Sequence, residues 1–123
     1  MFFNKGIPSQ DLWGLYSVAD FYLQPSKAEG LGMPVLEAMG CNILCVATDT
    51  GALHELLTEG RGILVPSKLA ITDVWGNSQR DFIDVDAAAD EIASVISDPE
   101  HANVDAMRAA ALAYVRSRTW EYP

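Results

Sequence analysis

Cysteine, histidine and positive charge are all scarce in this 123-residue chain. Two cysteines, Cys41 and Cys45, are too few for a disulfide scaffold. Cys45 sits inside the apolar run ILCVA and reads as a small buried hydrophobe. His54 and His101 do not stand at ligand spacing from the cysteines, so no metal site is expected. Lys and Arg number 8 against 17 Asp and Glu, a formal net charge of −9. The imbalance is uneven: residues 1–68 hold seven acids and four bases, and residues 69–123 hold ten and four. Such a surface repels nucleic acid and anionic lipid. No apolar run approaches bilayer length, and MFFNKGIPSQD lacks the basic start and long apolar core of a secretion signal. The expectations are no nucleic-acid partner, no membrane span and a cytoplasmic location.

What is present is a globular composition, 50% hydrophobic and 20% charged, at a length that suits one domain. SQDLWGLYSVA (9–19) reads as a helix capped by Ser9, with Leu12, Leu15, Tyr16 and Ala19 inward. DFYLQP (20–25) is a short strand ended by proline. PVLEAMG (34–40) is a helix with Pro34 at its first position. NILCVAT is a second strand, DTGALHELLTEG a turn and short helix closed by Gly60, and GILVP (62–66) a third strand. Residues 67–85 lack a clean period and read as an irregular insertion, with an edge strand at 81–85. DAAADEIASVISD is a helix capped by Asp86, with Ala89, Ile92, Ala93 and Ile96 inward, and 103–118 is the last helix, capped by Asn103. Strands alternating with helices predict an α/β fold, a Rossmann-like parallel sheet flanked by helices. The organisation is a core over 6–66, the insertion over 67–85 and C-terminal helices over 86–118. So few strands imply that one sheet edge opens toward another segment or another copy.

The stretch EGLGMPVLEAMG (29–40) concentrates the chemistry. It follows the first strand, and ligands of open parallel sheets sit at strand carboxyl ends. The first amides of the helix at Pro34 have no partner within the helix, and its dipole adds positive charge. Gly30 and Gly32 let a ligand approach the backbone. An anion can therefore bind without basic side chains. Glu29 and Glu37 suit hydroxyls, as a sugar or ribose offers. Phosphate on the amides and hydroxyls on the acids describe a nucleotide-sugar. The plainer alternative is a turn followed by a helix whose acids complement its dipole. A dinucleotide fingerprint fails, because Val35 stands where its third glycine belongs. Trp13, Trp75 and Trp120 read as core or contact residues.

PSKAEGLGMPVLEAMGCNILCVATDTGALHELL resembles the donor-binding signature of retaining glycosyltransferases of the GT-B fold, family four type. The two acids match its E-x7-E motif, GRGILVPSK is similar to its G-x-L-V-P strand, and the likeness is dense over 6–66. The resemblance implies a partial GT-B C-terminal domain that binds a nucleotide-sugar and transfers its glycosyl group to an unknown acceptor with retained configuration. It implies Glu29 as the catalytic residue on the sugar hydroxyls. Gly30, Leu31, Gly32 and Met33 would present backbone to sugar and diphosphate. Pro34, Val35 and Leu36 would bring helix amides near the diphosphate, Glu37 would hold the ribose, and Ile7 would lie near the base. No metal or other cofactor is implied. Asn42, Leu44 and Ala52 depart from the family's glycine, proline and glycine, and Asn42 still suits a left-handed cap. The family's diphosphate-clamping arginine and lysine fall ahead of Gly6, and a homo-oligomer or a missing partner domain is expected. Two further readings stand beside the enzyme: a truncated nucleotide-binding module, and a remnant that self-associates through its open sheet edge.

Overall fold

A computed structural model describes residues 6–76, 78–98, 100 and 103–118. Two of the residues singled out above, His101 and Trp120, lie outside them. The elements run α1 (Ser9–Val18), β1 (Phe21–Gln24), α2 (Met33–Gly40), β2 (Leu44–Thr48), α3 (Gly51–Leu57) and β3 (Ile63–Val65), then β4 (Ser67–Thr72), β5 (Gln79–Ile83), α4 (Val85–Ser97) and α5 (Val104–Arg116). β1, β2 and β3 form a parallel sheet in that order, with Phe21 opposite Leu44 and Val46 opposite Ile63. The central strand β2 is buried along its whole length, as a parallel strand covered on both faces must be.

Each face of the sheet has its own apolar layer. On one side Cys45 and Ala47 meet Val35, Ala38 and Met39 of α2, Leu53 and Leu57 of α3, and Ala111 of α5. On the other, Leu44, Val46 and Val65 meet Ala88 and Val95 of α4 and Val104 of α5. α5 therefore wraps the sheet and contributes to both layers. Arg61 ties α3 to α5. Its buried guanidinium donates to the carbonyls of Leu56 and Glu55, both at 2.7 Å, and lies 4.3 Å over the Tyr114 ring. Carbonyls near a helix C-terminus lack helical partners and carry partial negative charge, so a cation suits them.

Several local expectations are corrected. α1 begins at Ser9 with Pro8 as its cap residue and no side-chain capping bond, and Leu15 faces solvent. Asp84, not Asp86, caps α4: its Oδ1 accepts from the amides of Asp86 and Ala87. The inner face of α4 is the stripe Ala88, Ile92 and Val95, which leaves Ala89, Ala93 and Ile96 exposed. Asn103 precedes α5 with φ 54° and makes no side-chain cap. The stretch 67–85 is not an irregular insertion. Ser67–Thr72 and Gln79–Ile83 pair as an antiparallel hairpin, with Ile71 opposite Arg80 and an irregularity between Ser67 and Leu69, and the strand expected at 81–85 falls at 79–83. Asn42 does take φ 61°, the left-handed conformation that its position before β2 requires.

Among the described residues no helix is long and apolar enough to cross a membrane.

Candidate functional site

Residues 25–32 leave the carboxyl end of β1 and enter α2 at Gly32. Gly32 has φ 72°, and a Cβ there would stand 3.0 Å from Leu56 Cδ1 and 3.3 Å from Leu53 Cδ2. Both the backbone angle and the packing beneath it therefore require glycine. Gly30 has open space around it, and Leu31, Met33 and Pro34 are exposed, so the turn is open to a ligand.

The free donors are those of residues 30–33 and not those of the helical residues that follow. Pro34 has no N–H. The amides of Val35 and Leu36 both donate to the Gly32 carbonyl, at 2.9 and 3.2 Å. The Val35 side chain is fully buried in the core. Among the described residues, the amides of Gly30, Leu31, Gly32 and Met33 donate to no protein acceptor. Four consecutive unpartnered donors at a strand end and helix start are a place where an anion can be bound by main chain, Gly32 being the one of the four that is buried.

Two tyrosines and a glutamine absent from the sequence-based site hold the acids on either side of this turn. The Tyr22 hydroxyl donates to Gln24 Oε1 at 2.7 Å, and Gln24 Nε2 donates to Ser26 Oγ at 2.6 Å and to Glu29 Oε1 at 2.7 Å. The Tyr16 hydroxyl donates to Glu37 Oε2 at 3.2 Å. The two rings are 6.0 Å apart. Burial, then the hydrogen bond and charge of Glu37, push the Tyr16 hydroxyl well above the usual phenol range. Burial also raises the Tyr22 hydroxyl, followed by the charges of Cys45, Glu29 and Glu37. Tyr16 bonds Glu37 directly and Tyr22 reaches Glu29 through Gln24, so the two neighbouring rings link the two acids. The sequence carried a signal for Tyr16, whose position on the inner stripe of α1 was legible. Gln24 at a strand end carried none.

Glu37 lines a groove of about 520 Å³, whereas Glu29 and Ile7 do not. Ile7 is half-buried ahead of α1. Lys27 Nζ lies 4.2 Å over the Phe82 ring of β5. The Asp81 amide donates to the Lys27 carbonyl at 2.8 Å, and the Thr50 hydroxyl donates to the Asp81 carboxylate. The hairpin is thereby fastened beside the turn. His54 Nδ1 engages Asp49 Oδ1 at 2.5 Å on the exposed start of α3.

The arrangement is that of a Rossmann-like glycosyltransferase domain. The chain belongs to the family of glycosyl transferases group 1, whose model matches residues 1–75, more than half of its length. The O-antigen chain mannosyltransferase B of Escherichia coli is 28% identical over 94% of this chain and 26% of its own length. The D-inositol 3-phosphate glycosyltransferase of Kribbella flavida is 31% identical over 97% of this chain and 24% of its own. The GDP-mannose:cellobiosyl-diphosphopolyprenol alpha-mannosyltransferase of Xanthomonas campestris is 30% identical over 92% and 26%. The chain therefore spans about a quarter of the length of these curated relatives.

Proposed function

We propose that this chain is the donor-binding part of a retaining glycosyltransferase that takes its sugar from a nucleoside diphosphate sugar. The observation that carries the reading is the run of unpartnered amides from Gly30 to Met33. These amides receive the diphosphate, and with the helix dipole they stabilise the charge that develops on the leaving group. No metal is needed for that step. Glu37, steadied by Tyr16, accepts from the ribose hydroxyls. Glu29, oriented by Gln24, accepts from the sugar hydroxyls and is the catalytic residue. The base lies toward Ile7. In the reaction, the anomeric carbon exchanges its bond to the diphosphate oxygen for one to the acceptor oxygen on the same face. The acceptor's proton leaves with the diphosphate. The relatives named for mannosyl transfer and for GDP-mannose favour that donor as the first to test.

Calorimetric titration with GDP, UDP, ADP and GDP-mannose tests the reading. Saturable binding of at least one nucleoside diphosphate is expected. Glu37→Ala should weaken it about tenfold or more, the loss expected for hydrogen bonds to a carboxylate. A folded chain that binds none of the four, or a Glu37→Ala variant of unchanged affinity, would refute it.

A further inference from the structure

The carboxyl end of the sheet carries a second polar group beside the turn, the pair of Asp49 and His54. Asp49 is the first residue beyond β2, and its amide donates to the Val65 carbonyl at 2.8 Å, which fixes it beside the end of β3. On the other side β1 ends next to β2, with Gln24 opposite Ala47, and the turn that carries Glu29 leaves from there. α3 starts against that turn. A Cβ on Gly51 would stand 3.9 Å from the Glu29 carbonyl oxygen, and the Leu53 and Leu56 side chains pack beneath Gly32. His54 follows Gly51 by about one helical turn, and a helical side chain leans toward the N-terminus of its helix. Its Nδ1 accordingly reaches back to Asp49 Oδ1, at 2.5 Å. The imidazole therefore stands at the same edge of the sheet as Glu29.

The pair has a fixed polarity. A carboxylate can only accept, so Nδ1 of the neutral ring carries the proton and Nε2 keeps a lone pair. Among the described residues Nε2 meets no protein partner, and the His54 side chain is 56% exposed. The acids nearby in the chain and across the turn, Asp49, Glu55 and Glu29, disfavour a phosphate on this rim. A hydroxyl, which can donate to Nε2, suits it.

We propose that His54 is a further contact for the glycosyl group of the donor. Its Nε2 accepts a hydrogen bond from a sugar hydroxyl, and Asp49 is a positioning residue that holds the ring through Nδ1–H. The inference rests on the donor reading above, in which the diphosphate lies on the amides of residues 30–33. A sugar joined to that diphosphate then lies over the ends of β1 and β2, between the Glu29 carboxylate and the His54 imidazole.

Paired calorimetric titrations, GDP against GDP-mannose and UDP against UDP-glucose, isolate the sugar's own contribution. His54→Ala and Asp49→Ala should each weaken the sugar nucleotide about fivefold, as loss of one neutral hydrogen bond gives, and leave the nucleoside diphosphate unchanged. An exposed ion pair adds little to stability, so both variants should fold. A long-range 1H–15N spectrum of the unmutated chain is the second readout, with His54→Ala separating its signals from those of His101. The proton should lie on Nδ1, and the sugar nucleotide, but not the matching diphosphate, should move the Nε2 signal. If a diphosphate binds while both variants keep full affinity for its sugar form, or no sugar form binds, the inference falls and the donor reading stands. An Nε2 signal that the sugar form leaves in place, or that the diphosphate alone moves, overturns it too. A chain that binds no diphosphate refutes both.

Discussion

In the parallel sheet every residue of β2 is buried, and in the hairpin every residue of β4 is exposed. Both strands are short and carry apolar residues. β2 is held by neighbours on two sides and by helices on two faces. β4 has one partner strand and two largely bare faces, with Leu69 and Ile71 in solvent and Trp75 at the tip 95% exposed. The hairpin owes its position to its base, where Asp81 reaches Lys27 and Thr50. In one region burial dictates conformation; in the other, cross-strand hydrogen bonds and a few anchors do.

Truncation should separate the two regions most sharply. Leu57→Ala, at a side chain 1% exposed, should cost about 2–5 kcal/mol, read as a shift in the denaturant midpoint. Ile71→Ala should stay within about 0.5 kcal/mol. Equal costs would mean that the hairpin shares the core's burial.

Gly32→Ala should come next. The left-handed backbone costs a β-carbon about 1–2 kcal/mol, and the contact with Leu56 adds to it. The same variant should weaken nucleotide binding, since the turn must shift. Full stability and full affinity together would show that the turn tolerates a side chain.

The smallest effect concerns acid. The Thr50 hydroxyl, then Gln79, hold the Asp81 carboxyl below the usual carboxylate range. A lowered folded pKa stabilises above the unfolded value, near pH 4, and that contribution is lost as pH falls through the folded one. Protection of the Asp81 amide, taken relative to its intrinsic exchange rate at each pH, should therefore fall below about pH 4 while β2 amides stay protected. Asp81→Asn should flatten the dependence. A parallel loss of protection in both regions would join the hairpin to the core.

The same contrast explains what could be read from the chain. The succession of helices and parallel strands along the chain followed from apolar runs and from Pro25 and Pro34, because buried elements select residues by period and by backbone angle. Residues 67–85 defeated that reading, since a strand bare on both faces imposes no alternation. The Asp84 cap was missed because Asp84 and Asp86 are equally good cap residues two positions apart. At the site, the two acids and the glycine turn were visible as a motif. The engagement of the Val35 and Leu36 amides was not, because it depends on Gly32 being left-handed. Gln24 and Tyr22 act only through the spatial neighbourhood of Glu29.

The donors of the turn belong to four successive peptide units, two of them in Leu31 and Met33, whose side chains point outward enough to remain exposed. Recognition by peptide groups is indifferent to what those side chains are. If the turn binds an anion as proposed above, Leu31 and Met33 are free to diverge and reshape its mouth without disturbing those main-chain donors. Gly32 has no such liberty, and neither does the leucine pair beneath it.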